Sequence, residues 1–182
     1  GKLINPLVSE LYFAEGSIYI SQNKKQKAKK SLEQGLKIQP KNTNALFQYG
    51  NIFLMEKNYK KALSKYNKII EIKESFWQAI NNKGLIYFEQ DEILLAIDNF
   101  TKAIEIKKNA ESMLALAVSL QNTNKKKSIL LVKEALQKDP NYVSLKFREE
   151  QLWGEKLQKA TVELFKVEEL KKDISIANLY KN

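Results

Sequence analysis

The sequence predicts an all-α fold in which pairs of antiparallel helices follow one another along the chain. Three observations predict it. The 182 residues include only six glycines and three prolines, too few for the turns of a sheet protein, whereas residues that favour helices are abundant. Apolar residues recur at spacings of three and four, which is the period of an amphipathic helix. Several residue columns also recur in phase along the chain.

The columns begin with three glycines. Gly16, Gly50 and Gly84 are each 34 residues apart, and each is followed by an aromatic residue three positions later and by an alanine twelve positions later. Small residues let two antiparallel helices approach closely, and bulky residues then fill the space around the crossing. The bulky residues lie four positions after each alanine: Leu32, Tyr66 and Phe100.

The columns divide the chain into repeats, each read as helix, tight turn and helix. A polar residue marks each turn: Asn23, Asn58, Asp91 and Asn124. A stack of repeats leaves an apolar end face, so we expect the tail, interrupted at Gly154, to form capping helices. The predicted segments are a lead-in at 1–8, repeats at 9–42, 43–76, 77–109 and 110–142, and the capping region at 143–182.

The columns from residue 9 to about residue 140 resemble the tetratricopeptide repeat (TPR) family in both length and order. The resemblance implies a right-handed superhelical stack of about four helix-turn-helix repeats followed by the capping helices. Glu15 and Lys83 depart from the family's usual leucine, and Gly35 replaces an alanine. The stretch 152–157 is loosely similar to the end caps of cyanobacterial TPR proteins.

The resemblance also implies a peptide-binding groove lined by the first helix of each repeat. Side-chain amides can donate to and accept from an extended peptide backbone, and aromatic residues offer pockets for its apolar side chains. Two other interpretations stay open: these residues pack between neighbouring helices, or the C-terminal helices fold back and fill the groove. The predicted groove residues are Phe13, Ser17, Phe47, Gln48, Asn51, Leu54, Gln78, Asn81, Asn82, Leu85, Phe88, Leu114 and Val118.

No lysine lies among these groove residues, although the chain has 30 lysines. The family's carboxylate-clamp members bind acidic chaperone tails with lysine and arginine at such positions. We therefore expect a protein or peptide partner that is not a carboxylate-clamp chaperone tail.

The composition argues against an enzyme. The sequence has no histidine and no cysteine, which removes the usual neutral-pH base, thiolate chemistry and the commonest zinc ligands. No phosphate-binding glycine loop, nucleophile motif or metal spacing occurs. We expect no catalytic residue, no metal and no cofactor.

The net charge of +10 raises the question of nucleic acid. Arg148 is the single arginine, and arginine is the residue that forks onto phosphates and stacks on bases, so the sequence does not favour a nucleic-acid surface. The lysines cluster at the starts of second helices, for example at 24–30, and in the turn at 125–127. We interpret them as a solvated exterior, with an anionic membrane or an acidic partner as the alternative.

The sequence thus predicts a non-catalytic scaffold that binds a polypeptide, and an assembly factor for a larger complex, such as a photosynthetic one, is the narrower expectation. A self-associating module, as a homodimer through Phe76, Trp77 or the Leu152–Trp153 region, is the main alternative. A cytoplasmic location is expected. Because the chain begins with Gly1 rather than methionine, a removed signal or anchor upstream stays open.

Overall fold

A computed structural model describes residues 6–181, and every regular element within them is helical. The all-α prediction is therefore confirmed. Residues 1–5 of the predicted lead-in and residue 182 of the predicted capping region lie outside the described residues. The α-helices are α1 (Pro6–Ser21), α2 (Lys25–Ile38), α3 (Thr43–Met55), α4 (Tyr59–Ile72), α5 (Trp77–Glu89), α6 (Ile93–Ile106), α7 (Ala110–Leu120), α8 (Lys125–Lys138), α9 (Leu145–Glu150), α10 (Glu155–Phe165) and α11 (Lys171–Tyr180).

The helix boundaries follow local chemistry. Four helices begin after an asparagine whose side-chain oxygen accepts a hydrogen bond from the backbone three residues later, which satisfies one of the free N–H groups of the first turn. The turns within pairs contain residues in the left-handed region, at Asn23 (φ 55°), Lys57 (φ 55°) and Asp91 (φ 63°). Asparagine and aspartate tolerate that conformation well. The capping asparagines are Asn42, Asn58, Asn109 and Asn124.

The chain divides into two compact units, unit 1 (Gly1–Ala79) and unit 2 (Ile80–Asn182). In unit 1, α1 pairs with α2 and α3 pairs with α4. Each pair crosses at a glycine, as the sequence predicts. A Cβ added to Gly16 would lie 2.9 Å from Leu32 Cγ, and one added to Gly50 would lie 2.7 Å from Tyr66 Cε1. Both crossings exclude larger residues because close-packed cores have no spare volume.

Unit 2 repeats this packing. A Cβ added to Gly84 of α5 would lie 2.6 Å from Phe100 Cε1 of α6, and α7 pairs with α8. After α8 the chain departs from the repeat. A short 3-10 turn (Pro140–Val143) leads into α9 and α10, and a second one (Glu168–Leu170) leads into α11, which packs against α8.

Candidate functional site: the first-helix face

We call the predicted groove residues the first-helix face, because they lie on the first helix of each pair. Those of unit 1 lie on α1, on α3 and at the start of α5. Those of unit 2 lie on the rest of α5 and on α7. The two sets have different surroundings, so each is described by itself.

Two of the unit 1 residues are buried. Phe13 and Leu54 are part of the interior, and the Phe13 ring lies over Gly35 of α2 so closely that any Cβ at Gly35 would overlap it. This contact explains why Gly35 departs from the alanine that is usual in the family pattern. For these two positions the packing interpretation describes the structure.

The remaining unit 1 positions keep surface that a ligand can reach. Ser17 is exposed, and Gln48 Nε2 donates to Ser17 Oγ over 3.0 Å, which links α1 to α3. Asn51 is partly accessible, and its Oδ1 accepts a 2.7 Å hydrogen bond from the hydroxyl of Tyr66. Phe47, Gln48 and Gln78 are half-buried. An aromatic ring beside side-chain amides therefore lies at the surface of unit 1.

Phe47 is held by two other aromatic rings. Its ring centroid lies 6.0 Å from that of Tyr66 and 5.3 Å from that of Phe76, and both pairs are tilted. Tilted ring pairs at this separation are favourable, so the accessible edge of Phe47 has a fixed position. A fixed aromatic edge is a suitable contact for an apolar side chain because little rotamer entropy is lost on binding.

In unit 2 the first-helix face is covered by the chain itself. Leu85, Phe88, Leu114 and Val118 are buried in one apolar core. The same core contains residues from α10 and from the turn before it, and α10 packs against α7. We call α9 and α10 with their connecting turn (residues 145–165) the covering segment. Its main apolar contributions are Trp153, Leu157 and Leu164.

A carboxylate fixes the start of α10. The backbone N–H groups of Lys156 and Leu157 donate to the two oxygens of Glu89, over 3.2 and 3.0 Å. An anionic cap satisfies free donors of the first helical turn and interacts favourably with the helix dipole. A Cβ at Gly154 would overlap the Glu89 side chain, so a larger residue would displace the carboxylate from this position. An ion pair between Lys156 and Asp91 lies beside this cap.

The single arginine of the chain fixes the other end of the covering segment. Arg148 is fully buried, its Nη1 donates to the carbonyl oxygen of Tyr142 over 2.6 Å, and its Nε donates to Gln158 Oε1 over 2.8 Å. Its guanidinium also lies 5.9 Å from the Trp153 ring and 5.4 Å from the Phe165 ring. Burial lowers the pKa of Arg148 to about 10. A lysine could not make these planar, forked contacts.

Glu111 lies beneath the covering segment. Part of this residue is accessible to solvent, but its carboxyl group is enclosed near the Asn81 amide, the Tyr142 hydroxyl and the Trp153 indole. The Trp153 N–H is buried without a hydrogen bond of good geometry. Its interaction with the Glu111 carboxyl group is therefore weak. Burial outweighs these donors and raises the pKa of Glu111 to about 7.

The two asparagines of unit 2 also lie in this interior. Ser112 Oγ donates to Asn81 Oδ1 over 2.7 Å, and Asn81 Nδ2 donates to Asn82 Oδ1 over 3.3 Å. Both asparagines are buried. Their amides therefore take part in hydrogen bonds within unit 2 rather than facing a bound peptide in this structure.

Sequence reasoning missed Glu89, Glu111 and Arg148 as determinants of this site. One signal was present, since a lone arginine among 30 lysines indicates a position where a point charge does not suffice. Glu89 gave no such signal, and for Glu111 the repeat column predicted an inward position on the first helix of the fourth repeat but not its enclosure. Their partners are distant in sequence, and the chain offers many exposed glutamates of the same appearance.

The fold and the paired-helix crossings define a helical repeat protein. Two family models, both described as tetratricopeptide repeat, match the sequence. One matches residues 9–42 and 78–110, the other matches residues 44–72, and together these ranges span just over half of the chain. The chain belongs to the tetratricopeptide repeat family. No match is found among curated proteins.

Solved structures agree with this fold. A structure of MamA protein matches with a TM-score of 0.68 and 20% identity, over 96% of this chain and 97% of that chain. YrrB, described as a TPR protein with an unusual peptide-binding site, matches with a TM-score of 0.62 and 15% identity, over 92% of this chain and 90% of that chain. These similarities give no support to the expected likeness to cyanobacterial proteins.

A third similar structure contains a bound peptide. It is the first TPR of Spaghetti (RPAP3) bound to the HSP90 peptide SRMEEVD, with a TM-score of 0.62 and 19% identity, over 67% of this chain and 98% of that chain. For the chain described here, no helix within residues 6–181 has the length and apolarity to cross a membrane. The same residues contain no cluster of three or more acidic side chains placed to hold a metal ion.

Proposed function

We propose that this protein is a non-catalytic interaction scaffold and that a partner polypeptide binds to the first-helix face of unit 1. One observation carries the proposal. In unit 2 the first-helix face already receives a polypeptide, since α10 of the same chain packs on it through Leu157 and Leu164. In unit 1 the positions of the same face that carry Ser17, Gln48 and Asn51 remain accessible.

The chemistry of the unit 1 face defines the class of ligand. Its accessible groups are a hydroxyl, amides and the edge of Phe47, which suit an uncharged peptide with at least one apolar side chain. Neither α1 nor α3 contains a lysine or an arginine. An acidic C-terminal tail would therefore find no cation on these helices, in keeping with the expected absence of a carboxylate clamp.

The test uses peptides selected from a displayed random library for binding to the wild-type protein. Gln48→Ala and Ser17→Ala each remove one hydrogen-bonding group and should weaken binding about 2- to 10-fold. Ser64→Ala, on the exposed surface of α4, is the matched control and should bind as the wild type does. Selected peptides whose affinity is the same for all four proteins would show that they bind elsewhere.

An assembly role is a narrower form of the same proposal. Capture of proteins from the native host with wild-type protein and with the Gln48→Ala variant identifies the partner, and loss of one captured protein with the variant supports an assembly role for the complex that contains it. A photosynthetic complex would be one such result. Binding of an anionic membrane by the lysines of the second helices remains a further alternative, and nucleic acid is the less favoured ligand because the chain has a single arginine.

A further inference from the structure

Helix α1 carries an exposed apolar stripe that the first-helix face does not include. Leu7, Leu11 and Ile18 are 69%, 70% and 54% exposed. Their spacing of four and seven residues places them on one side of the helix. Gly16, which forms the crossing with α2, lies on the opposite side. The stripe therefore points away from the partner helix of its own pair.

The corresponding residues of α3 show which contact this side of a first helix makes. With the period of 34 residues, Leu11 corresponds to Ala45 and Ile18 corresponds to Ile52 on α3. Both α3 residues are buried in the core that contains the interior of α2, and α2 packs against α3. Thus in α3 this side receives the second helix of another pair. On α1 the same side has the same apolar chemistry, and within residues 6–181 no helix buries it.

The charge of α1 restricts the helix that fits there. Glu10 and Glu15 are the charged residues of α1, so the helix is acidic in a chain whose net charge is +10. A complementary helix would offer an apolar stripe with lysines beside it. Opposite charges at the rim of an apolar contact favour the correct partner and orientation.

Helix α11 offers such an apolar stripe with one lysine beside it, and Asp173, the acidic residue of the adjoining groove, is paired with Lys133. Ile176, Leu179 and Tyr180 are 45%, 81% and 71% exposed and lie on one side of the helix, with Lys172 on the same side. A groove of about 310 Å³ between α8 and α11 adjoins the stripe. The groove is lined by Lys133, Leu136, Gln137, Pro140, Asp173, Ile176, Ala177 and Tyr180.

We propose that copies of this chain associate head to tail, with the α1 stripe of one copy packed on α11 and the adjoining groove of a second copy. Two different surfaces meet in such a contact, so each copy keeps one surface free and the association continues into chains or closes into a ring. The proposal goes beyond binding of a peptide by unit 1. It also replaces the expected contact through Trp153, which is 5% exposed and lies in the core of unit 2.

The experiment disables one surface at a time. Wild-type protein at about 0.1 mM, where dissociation constants up to the sub-millimolar range are visible, should sediment as species larger than a monomer. Leu11→Glu and Leu179→Glu change exposed residues, so both should fold and both should sediment as monomers. Mixed together, they should form a one-to-one dimer that does not grow, because each variant contributes the surface that the other has lost. Leu94→Glu alters an 83% exposed leucine outside both surfaces and should associate as the wild type does.

Several results would overturn the proposal. Wild-type protein that stays monomeric would remove it, and so would a mixture of the two variants that stays monomeric. Association that Leu11→Glu abolishes and Leu179→Glu preserves would indicate α1 pairing with α1 instead. If a glutamate variant fails to fold by circular dichroism, a charge exchange replaces it: Glu10→Lys should weaken association at least tenfold, and addition of Lys172→Glu should restore it.

Discussion

Unit 1 and unit 2 are built from the same paired helices but differ in what lies on their first-helix faces. One repeat column shows the difference directly. Ser17 and Asn51 of unit 1 are polar and accessible, whereas Leu85 of unit 2 is apolar and 1% exposed. The covering segment packs on the unit 2 face, whereas in the described part of unit 1, residues 6–79, the positions of Ser17, Gln48 and Asn51 stay accessible. A single repeat pattern therefore supports both an accessible face and a face that another segment of the chain covers.

The largest expected effect comes from removing one aromatic residue in each unit, Trp153 of the covering segment and Phe47 of the unit 1 face. Trp153→Ala leaves a cavity under the covering segment and should lower the free energy of unfolding by about 3–5 kcal/mol. Phe47→Ala in unit 1 removes a half-buried ring and should cost about 1 kcal/mol. Urea denaturation measures both changes. Equal losses would show that the unit 2 face is no better enclosed than the unit 1 face.

Between pH 5 and pH 8, the stability should depend on pH mainly through Glu111 of unit 2. The pKa of Glu111 is about 7 in the folded chain, above its ordinary value of 4.5, so the folded state binds this proton more tightly. The resulting stability is fully present below pH 4.5 and is lost as the pH rises through about 7, a total of about 3 kcal/mol.

Urea denaturation between pH 5 and pH 8 measures this dependence. Glu111→Gln should flatten it, because glutamine stays neutral at every pH in this range. Glu105→Gln, at an exposed position of α6, serves as the control and should keep the wild-type slope. A slope that Glu111→Gln leaves unchanged would contradict the enclosed carboxyl group.

Loss of the α10 cap should have an intermediate effect. Glu89→Ala removes the acceptor for two backbone N–H groups and should cost about 1–2 kcal/mol. Hydrogen exchange of the α10 amides should become faster, whereas exchange in α3 should not change. The neighbouring Gln90→Ala, at an exposed position, should alter neither. Unchanged exchange in α10 after Glu89→Ala would mean that packing alone holds the covering segment.

The smallest effect is expected at Ser17, the accessible residue of the repeat column that contains Ser17, Asn51 and Leu85. Ser17→Ala changes an exposed hydroxyl and should alter the free energy of unfolding by less than about 0.5 kcal/mol. Leu85→Ala, at the corresponding position of unit 2, should cost about 2–5 kcal/mol. Thermal unfolding of the two variants tests the contrast, and a large loss from Ser17→Ala would show that the unit 1 face is structural.

The sequence predicted the helices and their crossings because both depend on local signals. The glycines at 16, 50 and 84 lie at close contacts, and Asn23 and Asp91 occupy turns in the left-handed conformation. The division into four repeats and the role of the groove residues stay predictions. The change from polar Ser17 and Asn51 to apolar Leu85 and Val118 indicates that the first-helix face is buried in unit 2. It does not identify the segment that covers the face.

By itself, then, the sequence determined the all-α class, the period of 34 residues and the small-residue contact within each helix pair. Tertiary structure decided which first-helix face is covered and which group caps α10. The physical reason is distance along the chain. Glu89 and Leu157 are 68 residues apart, and a contact of that kind leaves no periodic pattern in the residues around either partner. Local periodicity specifies helices and their pairing, whereas the docking of a non-repeating tail depends on the assembled surface.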